Sequence, residues 1–212
     1  MVENQKYQIG ILFGGRSSEH EVSLMSARSV LDAIDLDKYV IIQIGITHDG
    51  IWLSGENAID AMMNSQANQL TPVTMFPDPT RHGLYTIRDG QYLQYANIDV
   101  YFPILHGTFG EDGTLQGLFE MAEVAYVGAG VLGAAVGMDK AIFKDIMIAN
   151  NIPVVDGFVI SKNQLQTDME IIIDNAEKFS PYPIFTKPAN MGSSVGVTKC
   201  RSRSDIYLSL IH

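Results

Sequence analysis

A histidine, three glycines and two carboxylates sit side by side in His106-Gly-Thr-Phe-Gly-Glu-Asp-Gly113, directly after an apolar run. So many glycines cost order in a segment that only joins two elements, so the string reads as a binding or catalytic loop. Asp112 taken alone fits equally well as a cap for a helix opening near Thr114. A second polar string, Gly14-Gly-Arg-Ser-Ser-Glu-His-Glu-Val-Ser-Leu24, also follows an apolar run. Its Glu19 and Glu21 either complement the positive end of a helix dipole or hold a cationic group. Two further stretches carry cations. Met138-Asp-Lys140 opens a helical pattern in which Lys144 follows one turn later, a pair that on its own is a solvated helix face. Pro183-Ile-Phe-Thr-Lys187 sets a lysine at the tip of an apolar strand, and Gly192-Ser-Ser-Val-Gly196 offers backbone N–H groups able to fold over negative oxygens. The lysine precedes the glycines, unlike a Walker A loop, so the segment reads as a phosphate lid, with a hydroxyl-rich hairpin as the alternative.

These loops need strands and helices to aim them. Tyr7 to Phe13 is a short buried strand ended by Gly14-Gly15, and a helix follows with Ser17 and Ser18 as caps and Val22, Met25, Val30 and Ile34 as its inward stripe. Tyr39 to Ile46, rich in β-branched residues, is a second strand, which makes the opening a βαβ unit. Thr47-His48-Asp49-Gly50 turns the chain toward Ile51-Trp52-Leu53, and Arg88-Asp89-Gly90-Gln91 marks a second hairpin. Between them, from Ala58 to Asp99, the pattern is that of connecting structure. Val100 to Leu105 is a buried strand that delivers His106 to its carboxyl end, where ligands bind in open α/β sheets. Helices are expected over Thr114–Ala122, Met138–Asn150 and Leu165–Lys178, and strands over Gly157–Ser161, Pro183–Lys187 and Val195–Lys199.

Composition narrows the class. Hydrophobic residues are 46% and charged residues 18% of the 212, a balance that folds and is far from the signature of disorder. A formal net charge of -10 repels phosphate polymers, and the small basic cluster Lys199, Arg201, Arg203 reads as a solvated loop, so no nucleic-acid partner is expected. The one cysteine, Cys200, forms no intrachain disulfide and suits a reducing compartment. The first apolar run is too short for a signal peptide, and the longest uncharged stretch, Val124 to Met138, is too short to span a bilayer. A cytoplasmic protein without a membrane partner is the expectation.

Taken together, the four strings resemble those of the D-alanine–D-alanine ligase family of the ATP-grasp superfamily. H-G-x-x-G-E-D-G matches at His106–Gly113, the first loop matches at Gly14–Leu24, M-D-K matches at Met138–Lys140, and K-P-x-x-x-G-S-S-x-G matches at Lys187–Gly196, all in the family's order. The resemblance implies an α/β fold: a Rossmann-like parallel-sheet domain (the pre-ATP-grasp domain, residues 1–125) followed by the first subdomain of an ATP-grasp fold (residues 126–212). It implies ATP and D-alanine as ligands, D-alanyl-D-alanine made through an acylphosphate for peptidoglycan synthesis, and a possible homodimer. By position in the motifs, Glu19 would hold the ammonium of the first D-alanine and His106 would lie beside the reacting groups. Lys140 and Lys187 would meet the nucleotide phosphates, and Ser193, Ser194 and Val195 would form the lid, with Ser193 also linked to Glu19. Lys144 receives no role from the resemblance.

The family's magnesium ligands and adenine hinge find no match before His212, so the chain reads as truncated, no metal site is assigned, and the chain alone is expected to lack ligase activity. A D-alanyl-D-lactate or other ATP-grasp ligase, and a non-catalytic nucleotide- or D-alanine-binding fragment, remain the alternatives. A dinucleotide-dependent dehydrogenase does not fit, because Gly14-Gly-Arg-Ser-Ser-Glu lacks the G-x-G-x-x-G spacing.

Overall fold

The computed structural model describes residues 6–192 and 194–211. They form two compact units, Met1–Gly137 and Met138–His212.

The first unit is built on β1 (Tyr7–Gly14), whose apolar run is buried on both faces over its last six residues. That is the pattern of a central strand in a sheet covered on both sides. Helix α1 (His20–Ala33) returns the chain to β2 (Tyr39–Ile46), which pairs parallel to β1 from Tyr7↔Tyr39 to Gly14↔Ile46. The turn at 47–50 then sends β3 (Trp52–Ser54) back antiparallel along β2. After α2 (Ala58–Met63), the short β4 (Thr71–Pro72) extends that edge. A separate hairpin follows, β5 (Leu84–Arg88) and β6 (Gln91–Ala96), turning at Asp89 and Gly90, both at positive φ. Then β7 (Val100–Pro103) lies parallel to the free side of β1, giving the order β4-β3-β2-β1-β7.

Alternation along β1 decides which layer each side chain joins. Ile9, Ile11 and Phe13 meet Leu24 and Ala27 of α1 and Ala58 and Ile59 of α2. Leu12 faces the opposite cluster with Tyr101, Leu105, Leu115 and Phe119, the last two from α3 (Thr114–Met121). Each fully buried large apolar side chain contributes roughly 1.5–3 kcal/mol, so β1, carrying Ile11, Leu12 and Phe13 at 0% exposure, is the unit's most firmly seated element. Its carboxyl end, where the first polar loop begins, inherits that rigidity. Helix α4 (Val131–Met138) follows, with the Val131 carbonyl seated close against Gly113, whose φ is 91°.

The inward face of α1 differs from the expected stripe. Val22 and Met25 are 38% and 58% exposed, while His20, Ser23, Leu24 and Ala27 are buried. The buried set has i, i+3, i+4, i+7 spacing, and Ser23 faces inward because its hydroxyl serves two backbone groups of the sheet. Helix α4 was not expected either: its glycine- and alanine-rich residues are apolar all round and carry no 3.6-residue stripe.

The second unit carries α5 (Lys140–Ala149), α6 (Lys162–Thr167), α7 (Met169–Phe179), β8 (Ile184–Thr186), β9 (Thr198–Cys200) and α8 (Arg203–Ile211). Its small core is Ile173, Ala176, Cys200 and Ile206. The expected helix over Leu165–Lys178 is split at Asp168, whose φ of -133° lies outside the helical range. The expected strand at Gly157–Ser161 does not form. A strand needs a neighbour to complete its backbone bonds, and the one sheet described in this unit is the β8–β9 hairpin. The basic cluster is not a solvated loop: Arg203 opens α8 and pairs with Glu170, Asp174 and Glu177 of α7.

Candidate functional site

The polar loops at the carboxyl ends of β1 and β7 are sewn together by serines. Ser23, with no exposed surface, accepts the Gly14 N–H (2.8 Å) and donates to the Ile104 carbonyl (2.5 Å), so one hydroxyl joins the two strand ends. Ser17 repeats the device further out, accepting the Glu19 N–H (3.0 Å) and donating to the His106 carbonyl (2.6 Å). It is therefore a clasp between loops and not the helix cap expected of it; Glu19 itself occupies the N-cap position, without a side-chain cap bond. Ser26 lies 3.0 Å from His106 Nε2 and orients that ring. Ser17 was expected only as a cap, and Ser23 and Ser26 do not stand out in the sequence. The readable signal would have been their spacing, since Ser23 and Ser26 lie one turn apart on the side of α1 that meets both strand ends.

Glu19 and His106, the two residues expected to touch substrate in this unit, are brought together. Glu19 is buried, and its Oε2 lies so close to Gly107 that a Cβ on that residue would overlap it. Gly107 also has a φ of 72°, a region that favours glycine, so backbone conformation and close approach require the same residue. Beyond it the loop closes on its own carboxylates. Glu111 accepts the Gly107 N–H (2.7 Å), and Asp112 accepts the N–H groups of Phe109 (2.8 Å) and Thr114 (3.0 Å). Burial pushes the Asp112 carboxyl up, but these hydrogen bonds outweigh it and hold the group below the usual carboxylate range. Gln116 donates to the Gly110 carbonyl (2.9 Å), and Arg16 lies over the Phe109 ring at 4.7 Å. The result is a buried carboxylate against Gly107, in a braced loop whose preceding residue carries an imidazole held by Ser26, an arrangement able to hold a small cation.

In the second unit Asp139 caps α5, accepting the N–H groups of Ala141 (2.9 Å) and Ile142 (3.1 Å). That fixes Lys140 at the first helical position. Its backbone N–H donates to the Ala189 carbonyl (3.0 Å), and its ammonium reaches the Ala189 (3.4 Å) and Met191 carbonyls. Lys140 and the loop after Lys187 are thus brought together, with Lys140 gripping the loop's backbone. Lys187 is exposed just beyond β8. Ser194 (φ 62°) and Gly196 (φ 70°) take the left-handed region, Val195 N–H bonds the Gly192 carbonyl (3.0 Å), and Val197 N–H bonds the Ser194 carbonyl (3.1 Å). This tight turn displaces the expected strand, so β9 starts at Thr198. Ser193 lies outside the described residues. Lys144, which carried no expected role, holds the Val155 carbonyl at 2.6 Å.

Family models place both units. The model described as the D-ala D-ala ligase N-terminus matches residues 8–129, more than half of the chain, and that for the D-ala D-ala ligase C-terminus matches residues 146–210. The chain belongs to the D-alanine–D-alanine ligase family. Curated members agree: the D-alanine–D-alanine ligase of Natranaerobius thermophilus is 42% identical over 203 residues, and that of Heliobacterium modesticaldum 45% over 202, each covering 95% of this chain. In both cases the match spans 55% of the relative, so the chain covers about half the length of the family members it matches. Among solved structures, the VanG D-Ala:D-Ser ligase of Enterococcus faecalis superposes with a TM-score of 0.80 at 33% identity, covering 98% of this chain and 60% of that one. The D-alanine–D-alanine ligase of Coxiella burnetii gives 0.79 at 31%, covering 97% and 60%. The expected α/β architecture, a ligase N-terminal domain followed by the start of an ATP-grasp domain, is that of the family.

Proposed function

We propose that this chain supplies the D-alanine-binding part and the first phosphate-binding elements of an ATP-dependent D-alanine–D-alanine ligase. The observation that carries the reading is the buried Glu19 carboxylate set against Gly107, one residue from a His106 ring oriented by Ser26. Glu19 holds the ammonium of the first D-alanine, which leaves that substrate's carboxylate directed outward as the nucleophile. Lys140, Lys187, Ser193, Ser194 and Val195 are assigned to the ATP phosphates by their places in the family's motifs. Carboxylate oxygen attacks the γ-phosphorus, ADP departs, and the amine of a second D-alanine attacks the acylphosphate carbon, expelling phosphate and losing a proton to give the dipeptide. Negative charge builds on phosphoryl and then on tetrahedral oxygens, so lysines and backbone N–H groups lower both barriers by electrostatic stabilisation. A turn that closes over the phosphates keeps water from the acylphosphate. The same reading places the protein in the cytoplasm, where ATP is available, and allows a homodimer.

The magnesium implied by the resemblance needs a cage of oxygen ligands. Among the described residues, the group of metal-ligating side chains that converges is His20, Glu21 and His48, and two imidazoles do not suit that ion, so no step is routed through it. A second reading, ligation of D-alanine to D-serine, is favoured by the likeness to a D-Ala:D-Ser ligase. Calorimetric titration of the chain with D-alanine tests the first unit: binding is expected, and Glu19→Gln is expected to weaken it by at least roughly tenfold, the value of one charge-assisted hydrogen bond. Equal binding by both forms would overturn the role of Glu19. Splicing residues 8–210 into a complete relative and identifying the dipeptide or depsipeptide formed decides the acceptor.

A further inference from the structure

The parallel register that pairs Gly14 with Ile46 brings the turn after β2 to the first turn of α1. His48, from the turn, stacks on His20, from the helix, with ring centroids 3.8 Å apart and planes inclined by 23°. Glu21 stands beside them, its Oε1 3.8 Å from His48 Nε2, and one ligand atom from each of the three lies within 4.8 Å of the others. His20 and Glu21 follow Glu19 in the first-loop string and His48 lies outside all four strings, and the resemblance gives none of the three a role toward substrate or phosphate.

His20 is built as a metal ligand is built. Its Nδ1 sits 2.8 Å from the Gly15 carbonyl, an acceptor, so Nδ1 carries the proton and the neutral ring presents the Nε2 lone pair. A hydrogen bond from the second ring nitrogen to a backbone carbonyl is the arrangement that fixes tautomer and orientation in metal-bound imidazoles. The ring itself is buried and held between Gly14 and Gly15, whereas His48 and Glu21 are 67% and 75% exposed and free to turn. One anchored ligand and two adaptable ones allow the imidazole stack to open and converge on an ion at about 2.0–2.2 Å.

We propose that His20, Glu21 and His48 form a binding site for a divalent transition metal of the zinc class. Two imidazoles and one carboxylate make a donor set that zinc, copper and nickel favour and magnesium or calcium do not. The ion would complete its tetrahedron with water, and it would tie the N-terminal turn of α1, including the neighbouring Glu19, to the β2–β3 turn.

Titration of the chain with zinc chloride, followed by calorimetry and by the imidazole NMR signals, tests the site. One equivalent is expected to bind, to shift the His20 and His48 resonances together, and to raise the melting temperature. His48→Ala alters an exposed side chain, so its metal-free melting temperature should match the parent; its zinc affinity is expected to fall by at least roughly tenfold, with Glu21→Gln showing a smaller loss. Magnesium chloride at the same concentration should leave the two imidazole signals unmoved. Failure of zinc to bind at millimolar concentration, or equal affinity in the His48→Ala variant, would overturn the proposal.

Discussion

The two units hold their polar residues in different ways. At the carboxyl ends of β1 and β7, Ser17 and Ser23 each join two backbone groups across the loop pair, and β1 beneath them is buried from Ile9 to Gly14. In the second unit Lys187 and the turn at 194–196 stand on a two-stranded hairpin, and the loop is braced by Lys140, through its backbone N–H and its ammonium, and by backbone bonds of the turn itself. The loops carrying Glu19 and His106 are thus pinned to the sheet by buried hydroxyls, while the lysine-bearing loop is held through bonds to the start of α5 and within its own turn. Recognition of a small zwitterion suits a fixed site, because misplacing one carboxylate loses the geometry. Enclosure of a phosphate chain suits a segment that can close after binding.

Breaking the fixed side should have the largest effect. Ser23→Ala leaves the Gly14 N–H and the Ile104 carbonyl buried without their partner, and each lost partner costs about 1–3 kcal/mol. A destabilisation of roughly 2–4 kcal/mol is expected in chemical denaturation, with the proposed D-alanine binding weakened in parallel. The adaptable side should give a smaller and local response. Asp139→Ala removes the α5 cap, for which about 1 kcal/mol is the usual loss. Hydrogen exchange should accelerate at residues 141–144 while the amides of β1 remain protected. Equal acceleration in both units would deny that they respond separately.

Readable and unreadable parts of the sequence occur side by side in the first unit. Strands β1, β2 and β7 are legible because a parallel sheet covered on both faces demands unbroken β-branched and aromatic runs, and the loops after β1 and β7 announce themselves by glycine. The inward face of α1 is not legible from hydropathy: His20, Ser23 and Ala27 turn inward for hydrogen bonds and close packing, while the more apolar Val22 and Met25 face out. The His20–His48 stack is likewise invisible, since residues 28 positions apart meet only through the β1–β2 register. In the second unit, a run such as Phe158-Val159-Ile160 has the composition of a strand, yet a strand exists only where another lies beside it. Local pattern there describes a tendency that the described neighbours do not complete.

Two aspartates sharpen the contrast at its smallest scale. Asp139 and Asp112 each accept two backbone N–H groups, but Asp112 does so inside the braced loop that carries His106 and Gly107. Hydrogen bonding holds its folded-state carboxyl below the usual range despite the opposing pull of burial. A depressed folded value means that its contribution is complete above the unfolded value, about 4, and is lost as the pH falls through the lower, folded one. Asp112→Asn keeps one acceptor oxygen and loses the charge near the start of α3, so the expected cost at pH 7 is only about 0.3–1 kcal/mol. That gap should hold steady down to about pH 5 and close below about pH 4 as the wild-type carboxylate takes up its proton. Denaturation midpoints of the two forms across that range measure it. A gap that stayed open in acid would mean that Asp112 braces the loop through shape alone, which would leave the serines as the feature that separates the fixed unit from the adaptable one.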